Sequence, residues 1–116
     1  LMCAYSEEND THCLGIFGEK VSQFATTDPL IKIPQMGWNT ISNLSSNLFQ
    51  KVDEGSFVYF VHGYYASLGS DTIAQTDYIQ PYSSALHKDN FYGVQFHPEK
   101  SASVGEKILE NFIKNI

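Results

Sequence analysis

The chain has 116 residues, a formal net charge of −6 and a hydrophobic fraction of 42%, so it holds at most one domain around a single core. Every basic residue is a lysine, and no basic cluster occurs, which argues against a nucleic-acid partner. No apolar run approaches the length of a membrane span, and Leu1-Met2-Cys3-Ala4 is followed at once by Glu7, Glu8 and Asp10, unlike a signal peptide.

In chain order, residues 1–5 are apolar and lack an N-cap, so they read as the tail of a helix running into the polar loop 6–12. Cys3 and Cys13 allow one disulfide by count. Without framework spacing or an export signal they read instead as reduced thiols of a cytoplasmic protein. Residues 15–25 are strand-like around a turn at Gly18-Glu19-Lys20, Asp28-Pro29 marks another turn, and residues 30–34 predict a short strand. Next, Pro34-Gln35-Met36-Gly37-Trp38-Asn39-Thr40-Ile41 sets the only tryptophan and a methionine on either side of a glycine. By composition alone this is a core-filling aromatic beside a bulge.

Residues 42–51 predict a short helix or turn. The near-continuous apolar run 56–62 predicts a strand covered on both faces. It ends at His62-Gly63-Tyr64-Tyr65, and His62 on its own reads as a hydrogen-bonded structural residue. Residues 71–78 alternate polar and apolar, as in a half-exposed antiparallel strand, and 82–86 form another after Pro81. The Lys88-Asp89-Asn90 turn leads into a strand over 91–96, and a helix follows Ser101. Ser103 with Glu106 makes a capping box for that helix, with Val104, Ile108, Leu109, Phe112 and Ile113 as its buried stripe. No repeat, low-complexity segment or linker interrupts the chain.

The chemistry concentrates in Phe91-Tyr92-Gly93-Val94-Gln95-Phe96-His97-Pro98-Glu99-Lys100-Ser101. Pro98 has no N–H for a ladder, so the strand stops with His97 at its carboxyl end and Glu99 two residues on. Two readings stay open on these residues alone. One is a strand-ending turn with a surface ion pair; the other is the base half of a nucleophilic triad, a carboxylate fixing the histidine's tautomer and orientation.

Gly93-Val94-Gln95-Phe96-His97-Pro98-Glu99 resembles the His-x-Glu signature of the class I (triad) glutamine amidotransferases. The resemblance implies an α/β fold, the C-terminal part of a flavodoxin-like amidotransferase domain. It implies a mixed sheet with antiparallel strands and a C-terminal helix, residues 1–116 forming that domain truncated at its N-terminus. In the family a cysteine in a Gly-x-Cys-x-Gly elbow attacks the side-chain amide of glutamine, a histidine moves the proton and a glutamate orients the histidine. His97 and Glu99 take the last two roles. His12-Cys13-Leu14-Gly15 imitates part of the elbow but has Thr11 where glycine is required, and no apolar strand leads into it. The nucleophile is therefore expected upstream of residue 1, and these 116 residues by themselves are expected to hydrolyse no glutamine.

Two segments are similar to one branch of the family, the glutaminase subunit of imidazole glycerol phosphate synthase. That branch reads Pro-His-Met-Gly-Trp-Asn where this chain has Gln35, and Val-His-Ser-Tyr where it has Gly63. The likeness implies that Met36, Trp38, Asn39 and Tyr59 lie against a partner, a (β/α)8-barrel cyclase subunit that receives the ammonia. It also implies that the backbone at Gly63 and Tyr64 holds the glutamine substrate. Lys100 belongs to the same interface or is an ordinary solvated lysine. No metal or cofactor is implied. Other readings are the glutaminase part of an anthranilate or GMP synthase, and a non-catalytic binding domain of the same fold.

Overall fold

A computed structural model of the chain describes residues 5–6, 11–12 and 14–115. The strands in chain order are β1 (Tyr5–Ser6), β2 (Thr11–His12), β3 (Lys20–Gln23), β4 (Gln35–Ile41) and β5 (Ser56–His62). They continue with β6 (Tyr64–Ala66), β7 (Thr72–Tyr78), β8 (Gln80–Lys88) and β9 (Phe91–Val94). A 3-10 turn at Pro98–Lys100 then leads to the helix α1 (Ala102–Asn115). The larger sheet runs β2-β1-β3-β6-β8-β7 with β9 also on β8, while β4 and β5 pair by themselves. Only β1 and β3 run parallel among the described pairs, so the sheet is mixed and dominated by antiparallel contacts.

The two sheets are stitched at one edge. Ser42 and Gln75 exchange both backbone hydrogen bonds at 2.9 Å. The Thr76 hydroxyl donates to the Thr40 carbonyl at 2.9 Å, and the Asn39 amide donates to the Asp77 carbonyl at the same distance. Behind this seam lies a core that includes Phe24, Ile41, Val58, Phe60, Tyr82, Phe96 and Ile108. Its aromatic rings meet edge to face, Phe24 on Tyr82 at 5.5 Å and Phe60 on Phe96 at 6.0 Å, the arrangement ring quadrupoles favour.

The strand buried on both faces is β8, not β5: its residues 82–86 are all buried. Its sequence Tyr-Ser-Ser-Ala-Leu hides this because two positions are serines. Ser83 tolerates burial by donating to the Ser67 carbonyl at 2.7 Å and sharing a hydrogen bond with the Thr72 hydroxyl at 2.6 Å. In β5 the inward residues Val58, Phe60 and His62 are buried, whereas Phe57 and Val61 stay exposed. β5 thus has one covered face, as antiparallel strands commonly do.

Other local expectations shift as well. Residues 30–33 form a turn rather than a strand, because the Asp28 carboxylate accepts the Leu30 amide at 2.9 Å and the Asp28 carbonyl accepts that of Ile31. Ile16 and Phe17 precede the strand instead of forming one, and the motif strand stops at Val94, two residues early. The half-exposed antiparallel strand is β7, and the turn at Asp89 and Asn90 joins β8 to β9.

The helix starts at Ala102, one residue before the expected cap, and is rotated from its expected face. Gly105, Ile108 and Asn111 face inward, while Leu109, Phe112 and Ile113 are exposed. Two contacts set this rotation. A Cβ on Gly105 would stand 1.9 Å from the Pro98 carbonyl oxygen, so the helix approaches the 3-10 turn where only glycine fits. The Asn111 amide donates to the carbonyls of Leu48 and Gln50 at 3.0 and 2.7 Å.

Glu19 is buried beside Gly69 and accepts the Asp71 amide at 3.0 Å through one oxygen, while its other oxygen has no partner. Burial raises its pKa above the ordinary carboxylate range, and the neighbouring Asp71 side chain adds to the rise. A carboxyl whose folded pKa is raised stabilises the fold at low pH, and that contribution is lost as pH rises through the folded value. Glu19→Gln is therefore expected to raise the melting temperature at pH 7, with the gain shrinking towards pH 4. Thermal unfolding at both pH values checks this, and an equal shift at the two would refute it.

Candidate active site

His97 owes its position to a neighbouring strand. Its N–H donates to the Tyr59 carbonyl on β5 at 2.9 Å. The Tyr59 N–H donates to the Ser101 hydroxyl at 3.0 Å, and that hydroxyl donates to the His97 carbonyl at 2.6 Å. One residue of β5 thus grips both backbone ends of the histidine, with the fully buried Ser101 as the link. Sequence reasoning assigned Ser101 no functional weight; its only signal was a hydroxyl between a proline turn and a helix.

The turn Pro98–Lys100 then brings Glu99 back onto the ring. His97 Nδ1–H donates to the Glu99 carboxylate at 2.7 Å. In the neutral ring this fixes the proton on Nδ1 and leaves the lone pair on Nε2, the form a general base requires. The Glu99 carboxyl lies below the usual carboxylate range because its own backbone amide and then the His97 hydrogen bond favour its ionised form. The pair is open to solvent, the His97 side chain being 41% exposed. Lys100 is exposed beside it.

His62 ends β5 directly opposite Gln35, the position where the resembled branch has histidine. It is buried and hydrogen-bonded, as a structural histidine should be: Nδ1 lies 2.7 Å from the Tyr64 carbonyl, and Nε2 lies 2.7 Å from Gln35 Oε1 and 3.1 Å from the Tyr82 hydroxyl. A carbonyl can only accept, so the ring proton sits on Nδ1. Nε2 is then an acceptor, so its 2.7 Å hydrogen bond with Gln35 requires the Gln35 amide to be turned, with its NH2 group at the Oε1 position facing the ring. Burial holds the His62 pKa below its ordinary value and keeps the ring neutral. Gly63 and Tyr64 follow, half-buried, where the chain crosses from one sheet to the other. A Cβ on Gly63 would meet only the Pro34 Cβ, at 3.8 Å, so this position has room for the serine of the resembled branch.

Met36, Trp38 and Tyr59 share the outer face of the β4–β5 sheet, where Met36 pairs with Val61, Trp38 with Tyr59 and Thr40 with Phe57. Met36 is 67% exposed, Phe57 59% and Trp38 53%, so the tryptophan is not the core-filling residue its composition suggested. Trp38 stacks edge to face on Tyr59 at 5.8 Å. Phe57 and Val61 were missed because an apolar run hides which of its residues face out. Asn39 takes the opposite face, where its amide holds β7. Cys3 and Cys13 lie outside the described residues. Among the described residues no group of three His, Cys, Asp or Glu side chains is placed to hold a metal, and no helix is long and apolar enough to cross a membrane.

The hydrogen-bonded His97–Glu99 pair thus lies just past the carboxyl end of β9, on a mixed sheet backed by a helix. The family model for "Glutamine amidotransferase class-I" matches residues 12–116, and the chain belongs to that family. Among curated relatives, it is 55% identical over 114 residues to the imidazole glycerol phosphate synthase subunit HisH of Bacteroides fragilis, covering 98% of this chain and 58% of that protein. The HisH subunit of Bacteroides thetaiotaomicron is 52% identical, with 97% and 58% covered, and that of Escherichia coli K12 is 45% identical, with 93% and 55% covered. The chain therefore spans a little over half the length of these relatives. Among solved structures, a GMP synthase-like protein from Thermoplasma acidophilum superposes with a TM-score of 0.62 at 23% identity, covering 83% of this chain and 47% of that one. At that identity the likeness concerns the fold.

Ser101→Ala removes the link between Tyr59 and His97 and leaves the half-buried Tyr59 N–H without that acceptor, while the His97 carbonyl keeps the Lys100 amide at 3.0 Å. The expected cost is about 1–3 kcal/mol of stability, with His97 less firmly placed. Chemical denaturation measures the first, and a midpoint unchanged from wild type would show that the clamp contributes nothing.

Proposed function

We propose that the chain is part of a glutaminase that hydrolyses glutamine to glutamate and supplies ammonia for imidazole glycerol phosphate synthesis in histidine biosynthesis. The observation that carries this reading is the His97–Glu99 pair at 2.7 Å, in a chain 55% identical to a HisH subunit over nearly its whole length. In the proposed reaction a cysteine thiolate adds to the carboxamide carbon of glutamine. The C–N bond breaks as ammonia leaves with a proton delivered by His97, giving a glutamyl thioester. His97 then takes a proton from water, which attacks the thioester and releases glutamate and the thiol. Glu99 orients the imidazole throughout and offsets its charge while protonated.

The domain reading is part of the proposal: residues 1–116 form one portion of an amidotransferase domain, and the nucleophile and oxyanion donors come from its remainder. The relatives' greater length supports this, as does the stripe of Leu109, Phe112 and Ile113 on α1, which stays exposed although Phe112 meets Tyr92 edge to face at 5.9 Å. The backbone at Gly63 and Tyr64 is assigned to glutamine. A heterodimer with a (β/α)8-barrel cyclase, cytoplasmic in location, completes the reading, which calls for no cofactor. Met36, Trp38, Tyr59, Phe57 and Val61 form an apolar face suited to it, with Lys100 at the rim. Asn39 would contribute by fixing β4 on β7.

Two experiments test this with the full-length gene product. In a glutaminase assay with the cyclase present, His97→Ala is expected to lower kcat by about 10²–10⁴-fold, with Glu99→Gln impaired in the same direction. Glutamate release that survives His97→Ala would sink the assignment. For the interface, Trp38→Ala is expected to weaken cyclase binding by about 2 kcal/mol while barely moving the melting temperature, since the ring is already exposed. Calorimetric titration giving the wild-type affinity would remove Trp38 from the interface.

A further inference from the structure

Beneath Gly63 and Tyr64 lies a polar group unlike its surroundings. Gln35, His62 and Tyr82 are all buried, within an aromatic shell that includes Phe24 and Phe60. Burying three polar side chains costs stability unless they have partners, and here each lies within hydrogen-bond distance of the other two. An apolar trio would fill the same volume without that demand. What the network holds, besides itself, is the crossover backbone. His62 Nδ1–H donates to the Tyr64 carbonyl at 2.7 Å, and the Phe24 N–H donates to the Gly63 carbonyl at 3.0 Å. In a trans peptide the N–H points opposite its C=O. Fixing the Gly63 carbonyl therefore aims the Tyr64 N–H, and fixing the Tyr64 carbonyl aims the next one. Two successive peptide planes are set where β5 passes into β6.

We propose that His62 is a positioning residue of the glutamine site: its Nδ1–H holds the Tyr64 carbonyl, and Gln35 and Tyr82 hold its ring, so that the Gly63–Tyr64 backbone is presented to substrate in one orientation. The proposal rests on the assignment of that backbone to glutamine. It explains why the branch's histidine at position 35 can be replaced by glutamine: either side chain puts a hydrogen-bonding group against His62. It also explains why Gly63 suffices without a side chain, since the contact is made by main chain.

The test compares KM and kcat for glutamine in the full-length gene product with its cyclase. Asparagine places its NH2 near the position of Nδ1, and glutamine places its own near Nε2. His62→Leu and His62→Gln are expected to raise KM about tenfold, as loss of one hydrogen bond's worth of positioning would, with kcat changed less than about threefold. His62→Asn is expected to stay within about twofold of the wild-type KM. The melting temperatures of all three will fall, so the rescue by asparagine alone separates positioning from mere packing. An unchanged KM in His62→Gln, or an equal rise in His62→Asn and His62→Gln, overturns the inference. A wild-type complex that releases no glutamate removes the reading on which the inference rests, and the inference with it.

Discussion

The structure hangs on the backbone of Tyr59. Its carbonyl and its N–H are both committed outside the β4–β5 pair, the first to the His97 amide and the second to the Ser101 hydroxyl. A histidine on a loop after a strand end would otherwise be free to swing, because Pro98 cuts the ladder and the strand has already stopped at Val94. The clamp replaces the missing ladder with a rigid neighbouring strand, and it does so with backbone groups, which leave few ways to move. Ser101 is what makes the substitution possible. It is small enough to be fully buried, and its hydroxyl accepts from one side and donates to the other.

From that point β5 ties together three regions through its alternation. Val58, Phe60 and His62 point into the core, Phe57, Tyr59 and Val61 point away from it, and the strand end delivers Gly63 and Tyr64. A strand that is rigid because its inner face is buried can hold a histidine at its edge, an apolar surface on its outer face and a backbone site at its tip in fixed relation. Four residues separate Tyr59 from Gly63, about 13 Å of extended chain, so the proposed base and the proposed substrate backbone lie within one strand's length.

This also explains which parts were legible in the sequence. The ends of β5, the β8–β9 turn and the existence of α1 were marked by local chemistry: an apolar run, an Asp-Asn turn, a serine-rich start and a long periodic pattern. The His97–Glu99 pair was legible for the same reason, since two residues of separation across a proline leave few geometries. Faces were harder. A run such as Phe-Val-Tyr-Phe-Val carries no period, so nothing in it distinguishes the side that meets the core from the side that does not. The reverse happened in β8, whose serines disguise the most enclosed strand because the partners of Ser83, Ser67 and Thr72, lie elsewhere in the chain. Ser101 was illegible on the same ground: its value depends on Tyr59, forty-two residues away.

The helix shows how such distant partners override a periodic pattern. Its apolar residues mark a stripe broader than one face, and apolar burial alone would have turned Leu109 and Phe112 inward. Instead Gly105 admits the Pro98 carbonyl, and Asn111 reaches the carbonyls of Leu48 and Gln50. Alanine at position 105 would gain about 1 kcal/mol in helix propensity, yet its methyl would collide with backbone that cannot yield cheaply. The rotation of α1 is thus fixed by the same turn that carries Glu99 back to His97. Helix, turn and the proposed catalytic pair are thus contiguous, the helix packing at Gly105 against the Pro98–Lys100 turn that brings carboxylate to imidazole. The apolar side left outward is the consequence of that arrangement, and it is the surface on which the remainder of the proposed domain would settle.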